Sequence, residues 1–183
     1  FKGGLEPSKK RFEEIMTTHE EWIETDGEKG ELANFCEADL SGFDLQTKDL
    51  GKVNFSGATL IRVDLTGAEL NEAILIQANL TRAILTGANL SLANFTKANL
   101  TKVISEGETQ LIKTDLTNAK LVGAKFNGAL FSRAKLIGAD LSDAILTNVQ
   151  FDEAILSKAN LSGAILKGSI LNRTNICQAD FRL

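Results

Sequence analysis

Leucine or phenylalanine recurs at every fifth position along most of the chain, from Phe35 towards the C-terminus, and an alanine usually stands two residues before it. Residues 78–82 and 88–92 show the unit, which reads A-[DN]-L-[ST]-x. Internal repetition at a fixed period indicates a repeat architecture more strongly than any other sequence feature. The period of five therefore decides which folds are compatible with the rest of the chain.

A period of five fits neither regular secondary structure. Five residues turn an α-helix by about 500°, so successive leucines would move about 140° around its axis. A plain strand has a side-chain period of two, and five is odd. Both conflicts disappear when each unit is a short extended piece followed by a corner, because the alanine and the leucine then point inward and the next two residues turn the chain. The pattern therefore predicts a solenoid with a narrow core of stacked leucines.

The same units place the chain close to a known family. Leucine-rich repeats need about 20–29 residues and helical repeats about 33 or more, so neither fits the spacing. The A-[DN]-L-x-x units from Phe35 to Phe181 resemble the pentapeptide-repeat proteins. This resemblance implies an all-β solenoid, namely a right-handed quadrilateral parallel β-helix with four pentapeptides in each coil of about 20 residues. A repeat region of this length makes about seven coils, or about 35 Å of stack at the usual inter-strand spacing.

The chain divides into a predicted flexible N-terminus (residues 1–6), a capping helix with its lead-in (7–34) and the β-helix (35–183). Within residues 7–25, apolar side chains at three- and four-residue spacing predict an amphipathic α-helix. Its apolar face carries Phe12, Ile15, Met16, Trp22 and Ile23. We expect this helix to cover the open end of the stack, which would otherwise expose sheet edge and leucines. A helix that binds a partner is the alternative.

One break interrupts the register near residues 105–110. After Ser105, the polar segment 106–108 delays the next inward residue to Leu111. Only one residue is inserted, because the period of five then continues to Phe181. We interpret the insertion as a small loop or bulge at a corner. A binding or hinge feature is the alternative.

Allowing for that insertion, the inward residues fall into four columns, one for each face of the coil. The columns of faces one and two supply the expected core ladder: Phe35, Phe55, Leu75, Phe95, Leu80, Leu100, Leu121, Leu141 and Leu161. Each such side chain removed from water contributes about 1.5–3 kcal/mol. The stability of the stack is therefore expected to be a sum over coils.

The outward residues of face three supply a candidate interface. The residue before the central leucine, which is Asp or Asn in the family consensus, is isoleucine at four positions of this face. We name this set the isoleucine ladder: Ile84, Ile104, Ile145 and Ile165. An exposed apolar ladder indicates a contact surface. The alternative is that β-branched residues simply stabilise neighbouring coils.

A second candidate lies beside the ladder. Arg62, Arg82 and Lys102 stand at equivalent positions of successive coils and form what we name the basic corner. Such a column is either a solvated edge or an anion-binding site. At the other end of the chain, no capping helix follows Phe181, so we expect the last coil to pair with a second copy unless the natural chain continues.

Few residues of the sequence suit catalysis. His19, the only histidine, lies on the apolar face of the predicted helix without an accompanying nucleophile or metal ligand. Cys36 and Cys177 are seven coils apart, about 34 Å, whereas a disulfide needs Cα atoms within about 7 Å. We therefore expect free thiols, no zinc site, no cofactor and no enzymatic activity.

Charge limits the choice of function. Residues 1–34 carry nine acids and five bases, which accounts for the whole net charge of −4 and leaves the repeat region neutral. The sequence predicts a non-catalytic interaction protein that presents rigid faces to a protein partner, without direct contact to nucleic acid or membrane. Some relatives mimic DNA and bind type II topoisomerases, and this alternative is disfavoured because it needs a strongly negative rod. We expect a cytoplasmic location, or the thylakoid lumen or periplasm if the chain is a processed mature form.

Overall fold

The computed structural model describes residues 7–182, which form one α-helix followed by a stack of turns joined by parallel bridges. The helix α1 spans Lys9–Glu24, and two short strands lie within the stack, β1 at Ile104–Glu106 and β2 at Lys125–Asn127. The flexible N-terminus predicted for residues 1–6, and the last residue of the predicted repeat region, lie outside the described residues.

Helix α1 begins and ends at polar residues. The Ser8 side chain is the N-cap and accepts a hydrogen bond from the Arg11 backbone N–H at 3.2 Å. At the other end, Thr25 is the C-cap, and Gly27 follows with φ of 86°. The helix is thus slightly shorter than the predicted range of 7–25, because Pro7 and Ser8 precede it and Thr25 already leaves helical geometry.

The apolar face of α1 lies on the first coil. Phe12 and Met16 are buried, while Ile15, Trp22 and Ile23 are half-buried. The Phe12 ring stacks on the Phe35 ring, with centroids 5.3 Å apart. Phe35 in turn stacks on Phe55 of the next coil at 5.7 Å. The helix therefore extends the aromatic core beyond the first coil and separates it from water.

Each turn of the stack contains four pentapeptides. The first turn makes four parallel bridges to the next: Asn34 to Asn54, Asp39 to Thr59, Asp44 to Asp64 and Asp49 to Glu69. Bridged residues are thus 20 apart, and each unit has one extended residue that pairs with the coils on either side. Most of the extended segments are single bridges rather than strands, because only three residues of each unit remain once two have turned the corner.

The side chains that point inward form one continuous core. The predicted core residues are fully buried from Phe35 to Leu141, and Leu161 is 2 % exposed. Small alanines alternate with them along each side, such as Ala78 before Leu80, and are also buried. Ser105 occupies one central position in place of an apolar residue, and its buried hydroxyl has no hydrogen-bond partner among the described residues.

The corners need one residue in the left-handed backbone conformation, which is unfavourable for residues other than glycine. A hydrogen bond from the corner backbone to a nearby Asp or Asn side chain offsets part of this free energy. The second residue after each central leucine commonly has positive φ, for example 61° at Arg82. The Asp or Asn before the leucine bridges the same corner. Asn79 Oδ1 accepts from the Thr81 N–H at 3.1 Å, and Asp64 Oδ1 accepts from the Thr66 N–H at 2.9 Å. This turn-capping hydrogen bond gives the consensus Asp or Asn a structural reason.

The inserted residue enters at the corner after β1. Bridges join residues 21 apart across it, as in Asn89 to Gln110, and return to 20 apart beyond it, as in Gln110 to Leu130. Residues 106–108 are exposed, and β1 runs parallel to β2 instead of turning at once. Beneath the loop, the Thr109 hydroxyl accepts from the Gly87 N–H at 3.1 Å and donates to the Leu85 carbonyl at 2.9 Å. The extra residue is thus absorbed locally and the columns stay aligned.

Candidate protein-binding surface

The structure places the isoleucine ladder in one column of parallel bridges. Ile84 pairs with Ile104, and Ile145 pairs with Ile165. Lys125 lies between the two pairs, bridged to Ile145 and aligned with Ile104 in the β1–β2 register. The four steps from Ile84 to Ile165 cover about 19 Å at the inter-strand spacing. The ladder is therefore a continuous strip with a single charged interruption.

Exposure differs from one isoleucine of this strip to the next. Ile84 and Ile145 are half-buried, whereas Ile104 is 38 % exposed and Ile165 is 50 % exposed. Neighbouring side chains of the column shield part of each isoleucine, and the remainder faces outward. The strip thus offers apolar surface of the kind that marks contact sites, although part of each isoleucine serves packing between coils.

The isoleucines lack the turn-capping hydrogen bond described above. On the same face, Asp44 Oδ1 accepts from the Gln46 N–H at 3.1 Å. At three ladder positions the equivalent N–H groups, those of Thr86, Thr147 and Lys167, have no acceptor within residues 7–182. At these positions the consensus Asp or Asn, which accepts a hydrogen bond at the corner, gives way to isoleucine, which cannot accept one.

Apolar residues at this position are scattered on the other faces. Face one has Ile74 and Ile155, separated along their column by polar and charged residues. Face four has Leu130 and Ile170, with Gln150 between them. The sequence analysis did not single these residues out, although reading every outward column would have found them. Face three differs because its isoleucines are bridged to one another in pairs.

The basic corner is a column of charges without partners. Arg62, Arg82 and Lys102 are exposed and have φ between 57° and 61°. Backbone hydrogen bonds from their N–H groups to Thr81, Thr101 and Val122 place them one coil apart. None of the three makes an ion pair with any residue the structure describes.

In another corner column of the stack, a basic residue forms an ion pair with an acidic residue of the next coil. Arg133 contacts Glu153 of the next coil, with Nε 2.9 Å from Oε2. Hydrogen bonding and attraction from the Arg133 guanidinium lower the pKa of the Glu153 carboxyl. Arg62, Arg82 and Lys102 have no acid in the corresponding place, because their column continues with glycine at both ends. Their charge is therefore available to a partner.

Open grooves run along both sides of the basic corner. On the face-two side, a groove of about 840 Å³ is lined by the basic corner and by Ile61, Thr81 and Thr101, with the acidic Asp39 also in its lining. On the face-three side, a groove of about 460 Å³ is lined by Arg82, Lys102, Ile104, Gly123 and Lys125. Ile61 and Lys125 were not among the predicted interface residues. Their positions follow from the columns, so the repeat alignment contained the signal that would have identified them.

The remaining chemical groups lie apart from this surface. His19 is buried under α1, where its Nδ1 accepts from the Ala33 N–H at 3.4 Å and its Nε2 has no partner in the described chain. Burial lowers the pKa of His19, and the nearby carboxylates of Asp49 and Glu20 oppose this shift only in part. Both cysteines are free thiols, Cys36 half-buried and Cys177 exposed.

Residues 7–182 contain neither a metal-ligand cluster nor a membrane-spanning helix. No group of three or more His, Cys, Asp or Glu side chains in this range is arranged to hold a metal ion. No helix in the same range has the length and apolar character needed to cross a bilayer.

The last described coil differs from the others in its exposure. Its central residues Ile176 and Phe181 are 47 % and 37 % exposed, whereas the equivalent residues of earlier coils are buried. Ile165 and Ile170 are also exposed beside them. This end of the described stack thus presents the interior side chains of the repeat to its surroundings.

Comparison with known sequences identifies the class of protein. The profile of the pentapeptide repeats matches in eight copies, over residues 31–67, 49–75, 73–104, 109–148 and 144–182. The gap between residues 104 and 109 falls on the inserted loop. The chain belongs to the pentapeptide-repeat family, and its stack is accordingly a right-handed β-helix.

Several solved structures are similar. The chain is 32% identical to HetL, a pentapeptide repeat protein involved in heterocyst differentiation regulation in the cyanobacterium Nostoc sp. strain PCC 7120, over 78% of this chain and 73% of HetL, with a TM-score of 0.40. It is 30% identical to a pentapeptide repeat protein of the Arabidopsis thaliana thylakoid lumen, over 68% and 62% of the two chains, with a TM-score of 0.24. It is 24% identical to Rfr23 of the cyanobacterium Cyanothece 51142, over 88% and 99%, with a TM-score of 0.27. No curated protein sequence matches.

Proposed function

We propose that the chain is a non-catalytic interaction protein, a four-sided rod of about seven coils that binds a protein partner through the isoleucine ladder and the basic corner. Members of the family are generally not enzymes, which supports a binding role. The partner contacts face three along the column from Ile84 to Ile165, and the basic corner contributes charge beside it. The rod supplies rigidity, so little conformational entropy is lost when the surface is covered.

The missing turn-capping hydrogen bonds carry this proposal. A hydrogen bond of this kind contributes about 0.5–1.5 kcal/mol to stability. The consensus Asp or Asn would supply it at Ile84, Ile145 and Ile165, and would also remove apolar surface from water. Local choices that contradict the consensus of a fold concentrate at functional sites. Contact with a partner would remove these isoleucines from water, whereas on a free surface they stay exposed.

The test exchanges isoleucines for the consensus residue. In the ladder variant, Ile84→Asn, Ile145→Asn and Ile165→Asn restore an acceptor at each corner, so we expect unchanged or slightly higher stability. Affinity purification from lysate of the source cells, with quantitative mass spectrometry, measures the partner recovered by this variant and by wild type. We expect at least about tenfold less specific partner on the ladder variant, because three contacts of a buried interface are lost.

A matched variant controls for the loss of apolar surface. It carries changes to the same residue at outward positions of faces one and four that lie away from the end of the stack: Ile74→Asn, Leu130→Asn and Ile155→Asn. We expect this variant to recover the partner as wild type does. Equal recovery by wild type and the ladder variant would contradict the proposal, and so would an equal loss in both variants.

We also propose that a second copy covers the last described coil. The exposed central residues Ile176 and Phe181 support this, because they present apolar side chains that the equivalent positions of earlier coils bury. Sedimentation analysis of the purified chain at micromolar concentration should show a dimer, and Phe181→Ser should shift it towards monomer. A monomer at all concentrations would contradict this proposal without affecting the one for face three.

A further inference from the structure

The spacing of the basic corner adds a statement about the partner, and it rests on the function proposed above. Arg62, Arg82 and Lys102 repeat once per coil, so their Cα atoms follow one another at about 4.7–4.9 Å along the stack. A complementary partner needs acidic groups that repeat along its own length at a similar distance. The axial spacing of side chains on one face of a helix or a strand can therefore be compared with the spacing of the three cations.

An α-helix has nearly the required period. Acidic residues at positions i, i+4 and i+7 lie on one face of a helix, and the steps between them rise about 6.0 and 4.5 Å along its axis. Over the two steps from Arg62 to Lys102, the helix advances about 10.5 Å and the corner about 9.6 Å. The difference of about 0.9 Å lies within the adjustment that long arginine and lysine side chains allow.

An extended peptide fits less well. Side chains on one face of a strand are about 6.6 Å apart, so two steps cover about 13.2 Å. The mismatch of about 3.6 Å is about four times that of the helix, so the outer acids of an extended segment lie further from their cations. An acidic helix therefore matches the three cations more closely than an extended acidic segment does.

The grooves beside the corner favour a partner that also has apolar side chains. Ile61 lines the groove on the face-two side, and Ile104 lines the groove on the face-three side. Ile61 is half-buried and Ile104 is 38 % exposed, so part of each side chain is accessible. A nucleic-acid backbone would place phosphates against these isoleucines, which offer it no hydrogen bonds. An amphipathic helix places its own apolar residues there.

We infer that the basic corner binds an acidic amphipathic α-helix of a partner protein, lying parallel to the axis of the stack. The glutamates or aspartates of one helix face pair with Arg62, Arg82 and Lys102, one per coil. Apolar residues flanking that face enter the grooves lined by Ile61 and Ile104. The coil-to-coil spacing of the three cations thus favours helical over extended acidic segments.

The probe is a fluorescein-labelled, side-chain-stapled peptide of about 18 residues, long enough to hold a helix. It carries glutamates at i, i+4 and i+7 with leucines on the adjacent stripe. A second peptide of the same composition has its glutamates at i, i+2 and i+4 and is unstapled. Fluorescence anisotropy with the full chain gives the Kd of each. We expect the helical peptide to bind at least about fivefold more tightly, and both to weaken in about 0.5 M salt.

The corner variant is Arg62→Gln, Arg82→Gln and Lys102→Gln. Glutamine is suited to this backbone, since Gln77 and Gln178 occupy corner positions with φ of 59° and 58°. We expect the Kd for the helical peptide to rise at least about tenfold, because three ion pairs are lost together.

A charge-matched control removes three cations from other corners: Lys97→Gln, Lys113→Gln and Lys158→Gln. These lysines are exposed, have φ of 57° to 61°, and make no ion pair with the described residues. We expect the control to bind the helical peptide within about twofold of wild type, because only general charge has changed. An equal loss in the control and the corner variant would overturn the inference.

Two further results would also overturn it: equal affinity for the two peptides, and competition by duplex DNA as effective as unlabelled helical peptide. The proposed function is separable from this inference in the affinity purification. If the ladder variant loses the partner while the corner variant retains it, face three binds the partner and the acidic helix is wrong. If neither variant loses it, both proposals fail.

Discussion

Replacing Thr109 by valine removes a single hydroxyl from the corner where the extra residue enters the stack. In the regular coil above, Gly67 donates its N–H to the Thr86 carbonyl at 2.9 Å. The inserted loop moves the equivalent carbonyl out of reach of Gly87, and the Thr109 hydroxyl accepts that N–H instead. The valine side chain has nearly the same shape and cannot accept it. The backbone group of Gly87 is then left without a partner.

The size of the effect follows from which group loses its partner. The Leu85 carbonyl, which also receives the Thr109 hydroxyl, keeps the hydrogen bond from the Ala88 N–H at 3.0 Å. The Gly87 N–H has no other acceptor in the described chain. Gly87 is itself exposed and its hydrogen bond to Thr109 is partly buried, so water can replace the lost hydroxyl in part. We therefore expect Thr109→Val to lower the free energy of unfolding by about 1–2 kcal/mol, in the lower part of the range for an unsatisfied donor. Thr109→Ser keeps the hydroxyl and should cost less, about 0.8 kcal/mol for the lost methyl group.

A neighbouring threonine supplies the control. The Thr114 hydroxyl donates to the Leu90 carbonyl at 2.7 Å, and that carbonyl also accepts from the Ala93 N–H at 3.1 Å. Thr114→Val leaves no backbone donor unpaired, so we expect a loss of only about 0.5–1.5 kcal/mol. Urea denaturation followed by circular dichroism measures the free energies, and hydrogen exchange of the Gly87 amide reports the local effect.

Two outcomes would refute this reasoning. One is a Thr109→Val chain that unfolds at the same urea concentration as wild type and retains slow exchange at Gly87. The other is a Thr114→Val chain that loses as much stability as Thr109→Val. The loss would then come from the hydrogen bond that each hydroxyl donates to a carbonyl, and not from the unpaired Gly87 N–H.

Three other predictions concern the helix that covers the first coil and the net charge of the repeat region. Burial lowers the pKa of His19 below its ordinary value of 6.5, so the unfolded chain binds more protons. The stability that neutral His19 provides should be present above about pH 6.5 and fall as the pH drops through that value; thermal melts at about pH 7.5 and 5 should show a larger decrease for wild type than for His19→Gln. Phe12→Ala should cost about 3–5 kcal/mol and expose the first coil to faster hydrogen exchange, because its ring closes the aromatic core. Lastly, the chain should leave DNA supercoiling by gyrase unchanged at low salt, since its repeat region has no net charge; inhibition would revive the DNA-mimic alternative.

The spacing of apolar residues was sufficient to predict the stack and its helix. Every pentapeptide of the stack repeats the same inward residue and the same corner. The inward position is set by the leucine, the corner by the residue two places later, and the columns by counting. Phe35, Leu80 and Leu141 lie at core positions for that reason alone. The family profile independently recognises the repeats, and it stops at the same place where the register breaks.

Features that depend on contacts between coils could not be read from the period. The period does not indicate that the Thr109 hydroxyl substitutes for a backbone carbonyl, since threonine at an inward position resembles a tolerated replacement of alanine. Ser105 is a different case, because counting by five already places it in the core, and only the coordinates show that its hydroxyl has no partner among the described residues. The unpaired state of the basic corner also needed coordinates. Ion pairs such as Arg133 with Glu153 join residues 20 apart, and only the positions of the side chains show which columns form them.

The bridges that join residues 20 apart make the layers of this rod interchangeable. Each layer contacts only the layers above and below it, so the excision of residues 66–85 would bring Leu65 and Thr86 together in the same environments that they now occupy. Every later side chain would keep its side of the rod, and the molecule would only become shorter. Excision of one residue fewer would shift all later inward residues out of register. Whole turns are thus the natural unit in which such a chain can grow or shrink.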